Sequence, residues 1–106
     1  MNEYIQDYFA NVTRRHPQTN EPMLSYAETT QLLAHITQTK CAIILGGDVL
    51  DKQYQYLVPN WHYTPDDSFS RDENIQRSCE YARSFIQGLP HKHKAFFILV
   101  LCTDTL

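Results

Sequence analysis

Cys41-Ala-Ile-Ile-Leu45 is a short apolar run, broken by Gly46-Gly47 and followed by Asp48-Val-Leu-Asp51. It is too short for a helix, and its apolar residues are consecutive rather than alternate, so it reads as a strand buried on both faces. Such a strand belongs in the middle of a sheet, with a neighbour on each side. Paired glycines inside a strand mark a bulge or a close approach of another backbone, and here they re-aim Asp48 and the residues after it. The strand is expected over Cys41 to about Leu50.

The rest of the chain arranges itself around that strand. Tyr54, Tyr56 and Val58 alternate with Gln55 and Leu57, which predicts a second strand over about Gln53 to Val58, joined to the first by a hairpin turning at Asp51-Lys52. Asn60 to Ser70 reads as a loop, with Pro65, Asp66 and Asp67 as turn residues. Ser70-Arg-Asp-Glu73 has capping-box spacing and opens a helix with the core stripe Ile75, Cys79, Ala82, Phe85, Ile86 and Leu89. Glu73 and Arg77 stand at i,i+4 for an outer ion pair, and Gly88 and Pro90 end the helix. Ala95 to Cys102 is the final strand. Upstream, Tyr4, Ile5, Tyr8, Phe9 and Val12 form one apolar stripe of a helix from about Asn2 to Arg15, with Arg14, Arg15 and His16 at its C-terminal end and Pro17 as its stop. Ser25-Tyr-Ala-Glu28 is another capping box and starts a helix running to about Gln38.

The expected fold class is therefore α+β, with three helices on a small, mainly antiparallel three-stranded sheet in the order α-α-β-β-α-β. A crossover through the third helix makes strands two and three parallel, so both lie antiparallel to strand one in a sheet ordered 2-1-3. Helix three covers one face, and helices one and two cover the rest. A chain of 106 residues with 42% apolar content is expected to form a single domain over residues 1–106.

The N-terminal residues carry Glu3 and Asp7 where a secretory signal would carry basic residues, and the longest apolar run, Ala95 to Cys102, is far below the roughly 20 residues of a bilayer span. Three cysteines, Cys41, Cys79 and Cys102, form no CxxC pair. Together these features read as a soluble protein of the reducing cytoplasm. The net charge of −3 is unevenly spread: between positions 48 and 73, Asp48, Asp51, Asp66, Asp67, Asp72 and Glu73 face Lys52 and Arg71, which makes −4 there and leaves +1 elsewhere. Such a surface repels nucleic acid and attracts a basic protein, although acidic loops also serve solubility alone.

Catalytic patterns are sparse. His91-Lys-His93 could contribute to a metal site, but no further ligands are spaced near it, and a solvated basic loop accounts for it. Cys41 and Cys102 are brought near each other by the antiparallel pairing and read as two small buried thiols. Gly46-Gly47-Asp48 after a strand resembles the start of a phosphate loop, yet the next residues, Val49-Leu50-Asp51, neither open a helix nor supply a lysine. No nucleophile elbow or HExxH motif is present, so neither catalysis nor a cofactor is expected. Aromatics stand out more: Tyr54, Tyr56, Trp61, His62 and Tyr63 cluster among the acids, and Tyr and Trp are the usual anchors of protein interfaces. Trp61 can equally close the edge of the core.

Ile43-Ile-Leu-Gly-Gly-Asp-Val-Leu50, then Pro59-Asn-Trp-His-Tyr63 and an acidic capped helix, resemble the bacterial immunity protein 40 family over about residues 41 to 90. Where many relatives carry a glycine in the hairpin turn, this chain has Asp51-Lys52-Gln53. The resemblance implies a cytoplasmic, non-enzymatic protein that binds the C-terminal toxin domain of a cognate effector in a 1:1 complex, as in contact-dependent growth inhibition. Many such toxins are nucleases with basic clefts, and an acidic inhibitor complements them. The expected toxin-binding residues are Asp48, Asp51, Asp66, Asp67, Asp72 and Glu73 for steering, with Tyr54, Tyr56, Trp61 and Tyr63 as anchors. Two other classes remain open at this point: a small enzyme or ligand-binding domain using the Gly46-Gly47 bend and His62, and a homodimer paired through a sheet edge.

Overall fold

Six helices and strands follow the expected order in the computed structural model, which describes residues 3–103, and a single 3₁₀ turn is added before the last strand. They are α1 (Glu3–Ala10), α2 (Tyr26–Thr39), β1 (Ile43–Leu50), β2 (Tyr56–His62), α3 (Arg71–Gln87), a single 3₁₀ turn (Lys92–Lys94) and β3 (Phe96–Cys102). The sheet is ordered β2-β1-β3, and both neighbours run antiparallel to β1. The apolar run of β1 thus occupies the centre, as its two buried faces require.

Both glycines are dictated by how closely the chains cross. Gly46 sits at φ +151, and a Cβ there would stand 2.1 Å from the carbonyl oxygen of Trp61 on β2. A Cβ on Gly47 would stand 1.9 Å from the carbonyl oxygen of Ile98 on β3. Ladder irregularities flank them, between Ile44 and Gly46 against β3 and between Gly47 and Val49 against β2. The glycines therefore serve strand pairing, which removes the need for a ligand to explain them.

Helices α2 and α3 pack on one face, where Leu32, Leu33, Ile36, Ile75, Cys79, Ala82 and Ile86 join Ile44, Val49 and Phe97 in one core. Burial holds the Cys79 thiol protonated by raising its pKa. Two buried polar residues interrupt the apolar stripe of α3. Ser78 accepts from the Ile44 N–H at 3.0 Å and donates to the Ile75 carbonyl at 2.8 Å, fastening α3 to the irregular part of β1. Asn74 fastens the loop that precedes the helix.

The far face differs from expectation. Neither α1 nor α2 covers it; Met23, from the segment between them, packs there on Leu50, Phe96 and Ile98. That segment folds back as a narrow loop, with Arg15 bridged to Pro22 and Leu24 exchanging both backbone hydrogen bonds with Phe97 at the edge of β3.

Helix α1 ends at Ala10, five residues before Arg15, and its expected first residue, Asn2, lies outside the described residues. Val12 and Thr13 are weak helix formers, and the arginines beyond them have other partners. Arg15 donates back to the Phe9 carbonyl at 2.7 Å, so the cation still serves the helix end, but from outside the helix. Arg14 reaches Glu28 at 2.9 Å in an ion pair. The Ser25–Glu28 capping box is complete, and the Glu28 carboxyl is held below its ordinary pKa by the Ser25 N–H and then by Arg14, against some desolvation. At α3 the box is half formed: Ser70 accepts from the Glu73 N–H, while the Glu73 carboxylate takes the Ser70 hydroxyl instead of the backbone N–H.

Strand β2 is displaced from its expected place. It begins at Tyr56 and continues through Pro59 to His62, so Asn60–His62 are strand and not loop. Pro59 is tolerated because β2 is an edge strand, and Asn60 takes up the local bulge at φ +55 while the Asp48 carboxylate accepts its N–H at 2.8 Å. The hairpin turn is correspondingly wider than Asp51-Lys52. Asp51 Oδ1 accepts the N–H groups of Gln53 and Gln55, both at 2.9 Å, and Tyr54 stands at φ +66. A glycine would hold that conformation without strain, whereas Tyr54 holds it beside the stacked ring of Phe96. Cys102 stands opposite Ile43, so the β1–β3 register does not set it across from Cys41.

Candidate functional site

Asn74 organises the loop from Tyr63 to Ser70 against the start of α3. Its Oδ1 accepts from the Tyr63 hydroxyl and from the Asp66 N–H, each at 2.9 Å, and its Nδ2 donates to the carbonyls of Asp66 and Ser70 at 3.0 and 3.2 Å. Asp66 then forms its own turn, accepting from both the hydroxyl and the N–H of Ser68. Those two bonds, aided by Arg77, lower the pKa of the Asp66 carboxyl and keep it ionised. Burial raises the pKa of the Tyr63 hydroxyl, and the positive charge of Arg77 opposes that shift.

Between this loop and the outer face of α3 lies an open cleft of about 780 Å³. Tyr63, Phe69, Tyr81 and Phe85 supply aromatic walls, and Asp66 and Glu80 supply carboxylates. The ring centroids of Tyr63 and Tyr81 are 6.1 Å apart, and Trp61 lies 6.3 Å from Tyr81 and 5.0 Å from Phe85. Trp61 is only 6% exposed and supports this shelf from below, while Tyr81 is 44% exposed. The Arg77 guanidinium lies 3.9 Å above the Phe69 ring. Glu73 and Arg77 do not form the expected pair; among the described residues the one ion pair is Arg14–Glu28.

The ten expected binding residues therefore fall into separate places. Tyr63 and Asp66 line the cleft, Trp61 packs against its Tyr81 and Phe85, Glu73 lines an adjoining groove with Arg77 and Glu80, and exposed Asp67 follows Asp66 in the loop without lining either. Asp72 lines neither, since one helical residue turns it about 100° from Glu73. Asp48 lies mid-sheet and is engaged by Asn60. Asp51, Tyr54 and Tyr56 sit at the other end of β2, roughly 20 Å from His62 at about 3.3 Å per residue. That end is not an acidic surface: Lys52 and Arg14 lie 3.9 and 4.9 Å from the Phe96 ring centroid, and His16 stacks on Tyr56.

Glu80 and Tyr81 were not among the expected residues. Their signal was present in the helical repeat, because Glu73, Arg77, Glu80 and Ser84 share the outer stripe of α3 and Tyr81 borders it. Among the described residues no three His, Cys, Asp or Glu side chains converge to hold an ion. His93 instead sets its ring 4.8 Å from Tyr26. Among the described residues no helix is long and apolar enough to cross a membrane. What the cleft presents is an aromatic shelf with the carboxylates of Asp66 and Glu80 in its lining.

The family model for immunity protein 40 matches residues 16–103, a longer stretch than the motifs of residues 41 to 90 indicated, taking in α2 and β3. No curated protein and no solved structure matches the chain.

Proposed function

The chain belongs to the immunity protein 40 family, and from that premise we propose that residues 1–106 act as one immunity domain that neutralises a cognate toxin by binding it through the face made by the 63–70 loop and α3. The toxin domain is a nuclease with a basic substrate cleft, and the inhibitor works by occupancy in a 1:1 complex, without chemistry of its own. The observation that carries this reading is the convergence of Asp66, Glu73 and Glu80 with exposed Tyr81 on a preformed surface. Carboxylates on such a face steer a basic partner, and long-range attraction can raise association rates to about 10⁸ M⁻¹s⁻¹ at low salt. Aromatic side chains then supply the short-range energy, where one anchor can be worth about 2 kcal/mol.

The test is co-expression of this chain with the toxin domain encoded beside it in the genome, in the cytoplasm of a sensitive cell. Growth rescue with a co-purifying 1:1 complex is the expected result. Unrescued growth with no complex would overturn the reading.

A further inference from the structure

Arg77 is an exposed helical residue with Glu73 one turn before it and Glu80 one turn after it, yet its guanidinium pairs with neither and rests on Phe69. The cleft thus already holds a cation of the protein's own, on an aromatic surface, beside carboxylates that have no contact partner of opposite charge among the described residues. We propose that this cleft is a receptor for an arginine or lysine side chain of the partner, and that Arg77 is its resident occupant, displaced when the partner's cation enters.

Three features of the cleft fit that role. A guanidinium is planar and stacks on aromatic faces, and Tyr63, Phe69, Tyr81 and Phe85 provide such faces in one place. Asp66 uses Oδ1 for Ser68, which leaves its other oxygen to accept from a ligand, while Glu80 Oε1 holds only the Gln76 amide at 3.2 Å. Asn74 and Trp61 fix the loop and the shelf before any ligand arrives, so little ordering is required on binding. The sign of the Arg77 effect follows: a residue that competes for the shelf and carries like charge opposes the incoming cation.

The identity of the partner rests on the immunity reading, whereas the chemistry of the cleft does not. The test is therefore an NMR titration of the whole chain with a tetra-arginine peptide at low salt, on wild type, Arg77→Gln, Glu80→Gln and Asp66→Asn. Saturable shifts at Tyr63, Phe69, Glu80 and Tyr81 are expected, with binding about two- to fivefold tighter in Arg77→Gln and weaker in the other two variants. Arg77 is exposed, so the variant should retain the wild-type spectrum outside the cleft. Equal or weaker binding by Arg77→Gln, or shifts confined to the hairpin end, would overturn the proposal. Cleft binding of tetra-arginine without rescue from the toxin would sink the immunity reading alone; rescue without cleft binding would sink this inference alone.

Discussion

The Asn74 carboxamide is 5% exposed, and both its oxygen and its nitrogen are fully engaged, gathering Tyr63, Asp66 and Ser70 around one side chain. Replacing it by Ala would strand the Asp66 N–H and the carbonyls it serves in a partly buried site. The expected cost is about 2 to 3 kcal/mol in chemical denaturation, together with loss of the ordered cleft. Asn74→Asp should retain the two acceptor contacts and lose the donated ones, giving an intermediate result. This residue could not be recognised in the sequence, because a polar side chain beside Ile75 looks like the solvent edge of a helix. Its value depends on where the loop returns, which helical periodicity does not encode. The same holds for Ser78, whose partner Ile44 is 34 residues away.

At the scale of elements, β1 was legible because an apolar run with no alternation has one place in a small sheet, and the crossover fixed its neighbours. Its paired glycines signal a bulge or a close approach, and both occur, with register shifts beside them and neighbouring carbonyls against them, which has a measurable consequence. Gly47→Ala would drive a Cβ into the Ile98 carbonyl and part β1 from β3. A loss of more than about 3 kcal/mol, or failure to fold, is expected in urea unfolding. Gly88→Ala provides the contrast, since Gly88 has φ −79 and the nearest atom to its Cβ would be the Ser84 carbonyl oxygen at 3.4 Å. That change should lie within about 1 kcal/mol of wild type. The ends of α1 and β2 were not legible. Amphipathic spacing continues to Val12 although the helix stops at Ala10, and Pro59 reads as a stop although an edge strand with Asp48 supporting its bulge accommodates it. In both cases side chains distant in sequence decide the boundary.

Across the whole molecule, a window that is acidic along the chain is divided by β2 into two ends of different character. The hairpin end stacks Tyr54 and Phe96 with Lys52 nearby, and the α3 end carries the cleft and its carboxylates. The acids are visible in the linear charge pattern but their separation is not, because the alternation that marks the second strand stops at Val58 while β2 runs on to His62. The family match supplies the immunity assignment, and the binding face proposed for it is the α3 end, where the carboxylates of Asp66, Glu73 and Glu80 gather. The most direct measurement is the association rate of the toxin domain over a salt series, for wild type, for Asp66→Asn with Asp67→Asn, and for Asp51→Asn. The account predicts that the paired change slows association and flattens its salt dependence, while Asp51→Asn follows wild type. An unchanged salt dependence in the paired variant, or a slope flattened by Asp51→Asn instead, would contradict it.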